Sequence, residues 1–250
     1  METRAGANRA MLENINQLHH FILHAKDGVI GKLEDTYFDD IRWTIRYLVV
    51  SADGALTGRR VLISPVTIRT LDWREKEVFV ELSCDQVRNS PDSGTDKPVS
   101  RQHELELGAY YGWPPYWPVV PFGMEAIPPP NLVAESPEET SGGDPHLRSA
   151  REVKGYHSEA LDGEVGHVSD FVFDDRSWEI PFLVVDAGSW LHKRHVLVKP
   201  EWIEAIRWEE RHVSVRLTRE AVKNSPELVP HFPLPPEYVE QLTKHYRERG

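Results

Sequence analysis

The chain has 250 residues and a single cysteine, Cys84. One thiol excludes an intramolecular disulfide and any zinc centre built on cysteines. Long apolar runs are also missing. The longest strings, at 47–50 and 182–185, fall far short of the ~18–20 residues that cross a bilayer. The first twenty residues mix Glu2, Arg4, Arg9 and Glu13 with short apolar stretches, so no signal-peptide core is present and a cytoplasmic setting is expected. Positive charge is short as well: the net charge is −11, carried as −2 over 19–92, −4 over 93–154 and −5 over 155–227, with both ends neutral. An acidic surface repels phosphate backbones, which argues against direct nucleic-acid binding but leaves room for a local basic patch. No phosphate-binding loop, dinucleotide fingerprint, nucleophile elbow or HExxH occurs.

What the chain does contain is one pattern written twice. Residues 27–92 align with 162–227 at a constant offset of 135, without a gap, and 28 of those 66 positions are identical. The shared positions include Gly31/Gly166, Asp39-Asp40/Asp174-Asp175, Trp43/Trp178, Arg59/Arg194, Pro65/Pro200 and Asn89-Ser90-Pro91/Asn224-Ser225-Pro226. A repeat of this length marks a fold unit, because each copy solves the same packing problem.

Within each copy the apolar period is two, as in His212-Val213-Ser214-Val215-Arg216-Leu217 and its counterpart Glu77-Val78-Phe79-Val80-Glu81-Leu82. Further strands are expected at 31–39, 45–51, 59–64 and 68–73, with equivalents 135 residues later, separated by turns such as Asp27-Gly28, Asp39-Asp40 and Asp53-Gly54. His19, His20 and His24 are expected on the first strand of the first copy. Five or six short strands predict a small β-barrel per copy. Each copy then closes with a short helix, N-capped by Ser83 or Thr218 and ended by Asn-Ser-Pro.

The expected organisation is an N-terminal lead (1–18), a first barrel (19–92), a linker (93–154), a second barrel (155–227) and a C-terminal helix (228–250). The fold class is mainly β: two tandem barrels burying a shared apolar face as a pseudo-twofold pair. The linker reads as an amphipathic helix over 100–111, with Leu105, Leu107, Tyr110 and Tyr111 as its apolar set. An aromatic, proline-rich run follows, in which Tyr110, Tyr111, Trp113, Tyr116 and Trp117 are the candidate packing or interaction residues. Residues 134–143 are acidic and small, and are expected to be mobile. The tail over 235–249 reads as a final helix covering a barrel end with Tyr238, Val239, Leu242 and Tyr246.

Both copies resemble the PRC-barrel family, the fold of the cytoplasmic domain of the photosynthetic reaction centre H subunit and of the C-terminal part of the bacterial ribosome maturation factor. The resemblance rests on D-G-x-x-G (27–31, 162–166), F-D-D-x-x-W-x-I-x-x-L-V-V (38–50, 173–185), V-L-(I/V)-(S/K)-P (61–65, 196–200) and the closing N-S-P. The aromatic linker is also similar to that of tandem PRC-barrel proteins from bacteria. The resemblance implies a non-enzymatic module that docks a protein partner, or a peripheral part of a photosynthetic or other membrane electron-transfer complex. The chain differs from the reaction centre subunit in having no N-terminal membrane helix, and from the maturation factor in lacking its N-terminal domain.

Three groups of residues could carry chemistry. The acidic set Asp35, Asp39, Asp40 with its echo Asp170, Asp174, Asp175 suits a hard cation or, more simply, the capping of turns. The histidines His19, His20 and His24, with His192, His195 and His212, suit a metal or ordinary hydrogen bonding. The aromatic linker could line an inter-barrel crevice for a small ligand, present rings to a partner, or pack internally. No residue is assigned as catalytic, cofactor-binding or metal-binding, and no cofactor is called for. Partner identity and oligomeric state are left open.

Overall fold

A computed structural model describes residues 11–52, 59–91, 101–114, 147–188, 193–228 and 234–249. The Asp53-Gly54 turn, Tyr116, Trp117, His192 and residues 134–143 lie outside them.

The first half runs β1 (Leu12–Asn14), α1 (Ile15–Leu18), β2 (Ile22–Ala25), β3 (Gly28–Asp39), β4 (Thr44–Ala52), β5 (Arg60–Ile63), β6 (Ile68–Asp72), β7 (Glu77–Val80), α2 (Cys84–Arg88) and α3 (Arg101–Tyr111). The second runs β8 (Leu147–Ser149), α4 (Ala150–Val153), β9 (His157–Ala160), β10 (Gly163–Asp174), β11 (Phe182–Asp186), β12 (His195–Val198), β13 (Ile203–Arg207), β14 (His212–Val215), α5 (Arg219–Lys223) and α6 (Pro236–Arg249). Every element of one half has a counterpart at the same offset in the other. The correspondence therefore extends beyond the aligned 66 residues at both ends, and the helix after the first sheet is the counterpart of the C-terminal one. No described helix is long and apolar enough to cross a membrane.

The strands form two seven-stranded sheets. One has the order β5-β4-β3-β2-β7-β6 and the other β12-β11-β10-β9-β14-β13. The seventh strand of each comes from the opposite half: β1 pairs with β10 and β8 pairs with β3, in equivalent registers (Asn14 opposite Val172, Ser149 opposite Tyr37). The halves thus exchange short arms.

Local chemistry explains the shared residues. Asp27 and Asp162 accept hydrogen bonds from the Cys84 and Arg219 amides at 2.7 and 2.6 Å, tying each Asp-Gly turn to the start of α2 or α5. Arg59 donates to the carbonyls of Arg88 and Ser90, and Arg194 to that of Ser225, so one arginine per half satisfies the chain leaving each short helix. Pro65 and Pro200 each open a 3-10 turn, where a missing N–H costs nothing. Gly31 and Gly166 lie where the neighbouring strand comes closest: a Cβ on either would stand 1.9 Å from the carbonyl oxygen of Ser51 or Asp186.

One correction concerns the histidines. Of His19, His20 and His24 only His24 is on a strand; His19 and His20 lie between α1 and β2, with His20 at φ 74°. The chain turns there because the short α1 must deliver the strand back to its own sheet.

A continuous core joins the halves. Phe38 and Phe171 stand 5.1 Å apart across the junction, and Trp73 meets Phe173 at 6.1 Å. At its centre the two tryptophan turns bond reciprocally: the Ile45 amide donates to the Trp178 carbonyl (2.8 Å) and the Ile180 amide to that of Trp43 (2.6 Å). Outside each sheet lies a helix. Leu107 of α3 packs with Tyr47, Val49 and Leu62, which is why that part of β4 is apolar on both faces, and Leu242 and Tyr246 of α6 are buried at the equivalent place. Leu105 and Tyr110 are exposed, so the apolar face of α3 is narrower than the sequence suggests.

Candidate functional site

The sequence-derived acidic set resolves into two jobs. Asp39 and Asp174 cap their own turns, accepting from the amides two and three residues on at 2.9–3.0 Å. Asp35 and Asp170, both buried, reach across to the opposite arm. Asp35 accepts from Ser149 Oγ (2.5 Å) and the Arg151 amide (3.0 Å) at the start of α4, and Asp170 from the Asn16 amide (3.3 Å) in α1. Burial raises both carboxyls, that of Asp170 to about 6. Asp40 and Asp175 also cross, the first to Arg148 (2.8 Å), the second to the Met11 amide (2.9 Å) and Trp73 Nε1 (3.3 Å). These carboxylates spend their oxygens on the chain, and no group of three or more metal-ligating side chains suited to a metal occurs among the described residues.

Glu13, which no motif or period singles out, occupies the position equivalent to Arg148. Where Arg148 forms an ion pair with Asp40, Glu13 is buried near Asp175 and bonded to Gln17 (3.2 Å). Burial first, and Asp175 second, push its carboxyl up to about 7. One arm is held by opposite charges and the other by a carboxyl that favours its neutral form.

Cys84 is half-buried; burial and the adjacent Asp27 raise its thiol above the ordinary range, which opposes nucleophilic use.

The aromatic candidates do meet. Tyr111 stacks on Trp113 (4.2 Å between centroids, 13° between planes), and the Tyr110 hydroxyl donates to the Gln86 carbonyl (2.9 Å). Trp113 then lines a crevice of about 940 Å³ between α3, the outer face of the first sheet and the 175–178 turn of the second half. The crevice is lined by Tyr47, Ile68 and Trp178, with Arg46, Arg69 and Arg176 and the acidic Glu104 and Asp175 among its charged residues.

The duplication supplies an internal control for this crevice. Val66 and Leu105, 72% and 45% exposed, line it together with Arg69, and their counterparts are Glu201, Glu240 and Glu204. Small residues on α3 and just after it, Gly108, Ala109 and Gly112, correspond to Thr243, Lys244 and Arg247 on α6. Packing of the common fold does not require an exposed Val66 or Leu105, since the second half does without them. The first half therefore has an open apolar groove, where the second has carboxylates and long polar side chains. No model of a known protein family matches the chain, and no curated protein matches it.

Proposed function

We propose that the protein is a non-enzymatic scaffold of the PRC-barrel type, acting in the cytoplasm, in which a pseudo-twofold pair of barrels presents the α3 crevice to a protein partner. The observation that carries this reading is the contrast between the halves: solvent-facing Val66 and Leu105 against Glu201 and Glu240. Apolar side chains displayed on one copy of a duplicated unit, and charged on the other, mark a surface that excludes water only when covered. Arg69 and Arg176 beside the crevice, in a chain of net charge −11, suit a partner segment with an apolar face and carboxylates next to it.

A photo-crosslinker at position 105, read by mass spectrometry, tests this directly. The expected product is one acidic, apolar-faced segment. Val66→Glu with Leu105→Glu should reduce its capture at least about tenfold, because both anchors become like the second half. Glu201→Gln with Glu240→Gln should leave capture unchanged. Equal capture by the Val66/Leu105 variant would refute the groove as the docking surface.

A second reading rests on the same crevice: its aromatic lining and volume of about 940 Å³ suit a small apolar ligand. Such a ligand would raise the unfolding temperature of the protein by mass action, and lose that effect on Trp113→Ala.

A further inference from the structure

We propose that a second pocket, on the β10–β11–β12 edge of the second sheet, binds a small phosphorylated ligand, a diphosphate or phosphate ester. The pocket holds about 550 Å³ and is lined by Arg151, Lys154, Lys193, His167 and His195 around Asp186. Three permanent cations and two imidazoles thus converge on one depression of an acidic chain. The side chains of Arg151, Lys154 and Lys193 form no ion pair among the described residues, whereas Lys26, Arg60, Arg148 and Arg194 each have a carboxylate.

The strand register brings the imidazoles in. His167 lies opposite Asp186 and Asp186 opposite His195, so the three share one face across adjacent strands. Asp186 does not oppose an anion strongly. Its Oδ1 accepts from the Gly188 and Arg194 amides, both at 3.1 Å, and its Oδ2 stands 4.0 and 3.9 Å from the Nε2 atoms of His167 and His195. The same row continues to His157 and His212, but each of these has its own carboxylate, Glu164 at 3.0 Å and Glu159 at 3.4 Å. The field is felt nearby: after burial, Lys154, His20 and Arg151 are what hold His19 down to about 4. In the first half the equivalent positions are Asn16, His19, Gly58, Lys32, Arg60 and Ser51, and Arg60 there pairs with Glu34 at 3.3 Å. A diphosphate offers several charged oxygens to such a ring, and charge-assisted bonds of this kind are the strong ones.

The test titrates the full-length, nitrogen-15-labelled chain with inorganic pyrophosphate at about pH 6 and about pH 8, on either side of imidazole titration. Saturable shifts are expected at Gly155, His167, Val168 and Ser169, with a Kd below about 1 mM at the lower pH and at least about tenfold weaker at the higher. Lys154→Ala with Lys193→Ala should weaken binding at least about tenfold without moving the unfolding temperature, since both side chains are on the surface. The proposal is overturned by no saturable shift at these residues up to about 10 mM, or by an unchanged Kd in the lysine variant. Tighter binding of a single-stranded oligonucleotide at the same residues would overturn the small-ligand assignment.

Discussion

Gly166→Ala is expected to unfold the second sheet, and Gly31→Ala the first. The alanine Cβ would stand 1.9 Å from the carbonyl oxygen of Asp186 or Ser51, about half an ordinary contact distance, and the atom it meets is backbone. Neither strand can step aside without breaking its ladder: β10 is held by β9, β11 and the exchanged β1, and β3 by β2, β4 and β8. Gly166 also sits at φ +155°, which strains any side chain. A loss of more than about 4 kcal/mol is expected for each, read as the urea midpoint. Gly28→Ala is the control. Its nearest neighbour would be Cys84 Sγ at 3.2 Å, the end of a side chain that can turn, and its cost should stay within about 1 kcal/mol. Equal stability of Gly28→Ala and Gly166→Ala would show that the close approach does not set the strand crossing.

Stability should fall as pH rises from about 4.5 to about 7, and Glu13→Gln should remove much of that fall. Glu13 titrates near 4.5 when exposed and near 7 in the fold, so between those values the folded chain holds a proton that the unfolded chain has released. Its favourable share is complete below the lower value and lost above the upper one. Asp170, raised from 3.8 to about 6, acts in the same direction over a lower window. For Glu13 a swing of about 1–3 kcal/mol is expected. The glutamine keeps the shape and a neutral side chain beside Asp175, so the variant should match the parent near pH 4.5 and exceed it near pH 8. Parallel curves for the two proteins would mean that the Glu13 carboxyl is not what titrates. The position equivalent to Glu13 on the opposite arm should contribute no such loss, because Arg148 and Asp40 attract.

The strands, their turns and the duplicated glycines, tryptophans and prolines were legible because period two and a fixed offset are local signals. The arms were not. A strand of three residues such as Leu12–Asn14 has no period to detect, and its partner lies about 160 residues away in the chain. A trace of it existed in Leu12/Leu147, as did one for the outer helices in Leu107/Leu242 and Tyr111/Tyr246, but isolated identities outside the aligned block carry little weight alone. The capping aspartates were legible as a set, whereas the division between Asp39, which serves its own turn, and Asp35, which serves the other half, depends on the long-range fold. Trp113 stood out in the sequence with crevice lining, partner contact and internal packing all open to it, whereas Val66 and Leu105 became informative only once their exposure could be set against Glu201 and Glu240. The row from His195 to His167 needed the register of three strands, which spacing along the chain does not reveal.

The exchange of arms between two halves that share one core is best tested by producing residues 1–112 and 147–250 separately and together. Without β1, the second half leaves the edge of β10 unpaired and Phe171 without its partner Phe38. Each fragment alone should therefore lack a cooperative unfolding transition, while the mixture should form a one-to-one complex that unfolds cooperatively. A 147–250 fragment that unfolds cooperatively as a monomer, with the stability of the intact chain, would contradict it.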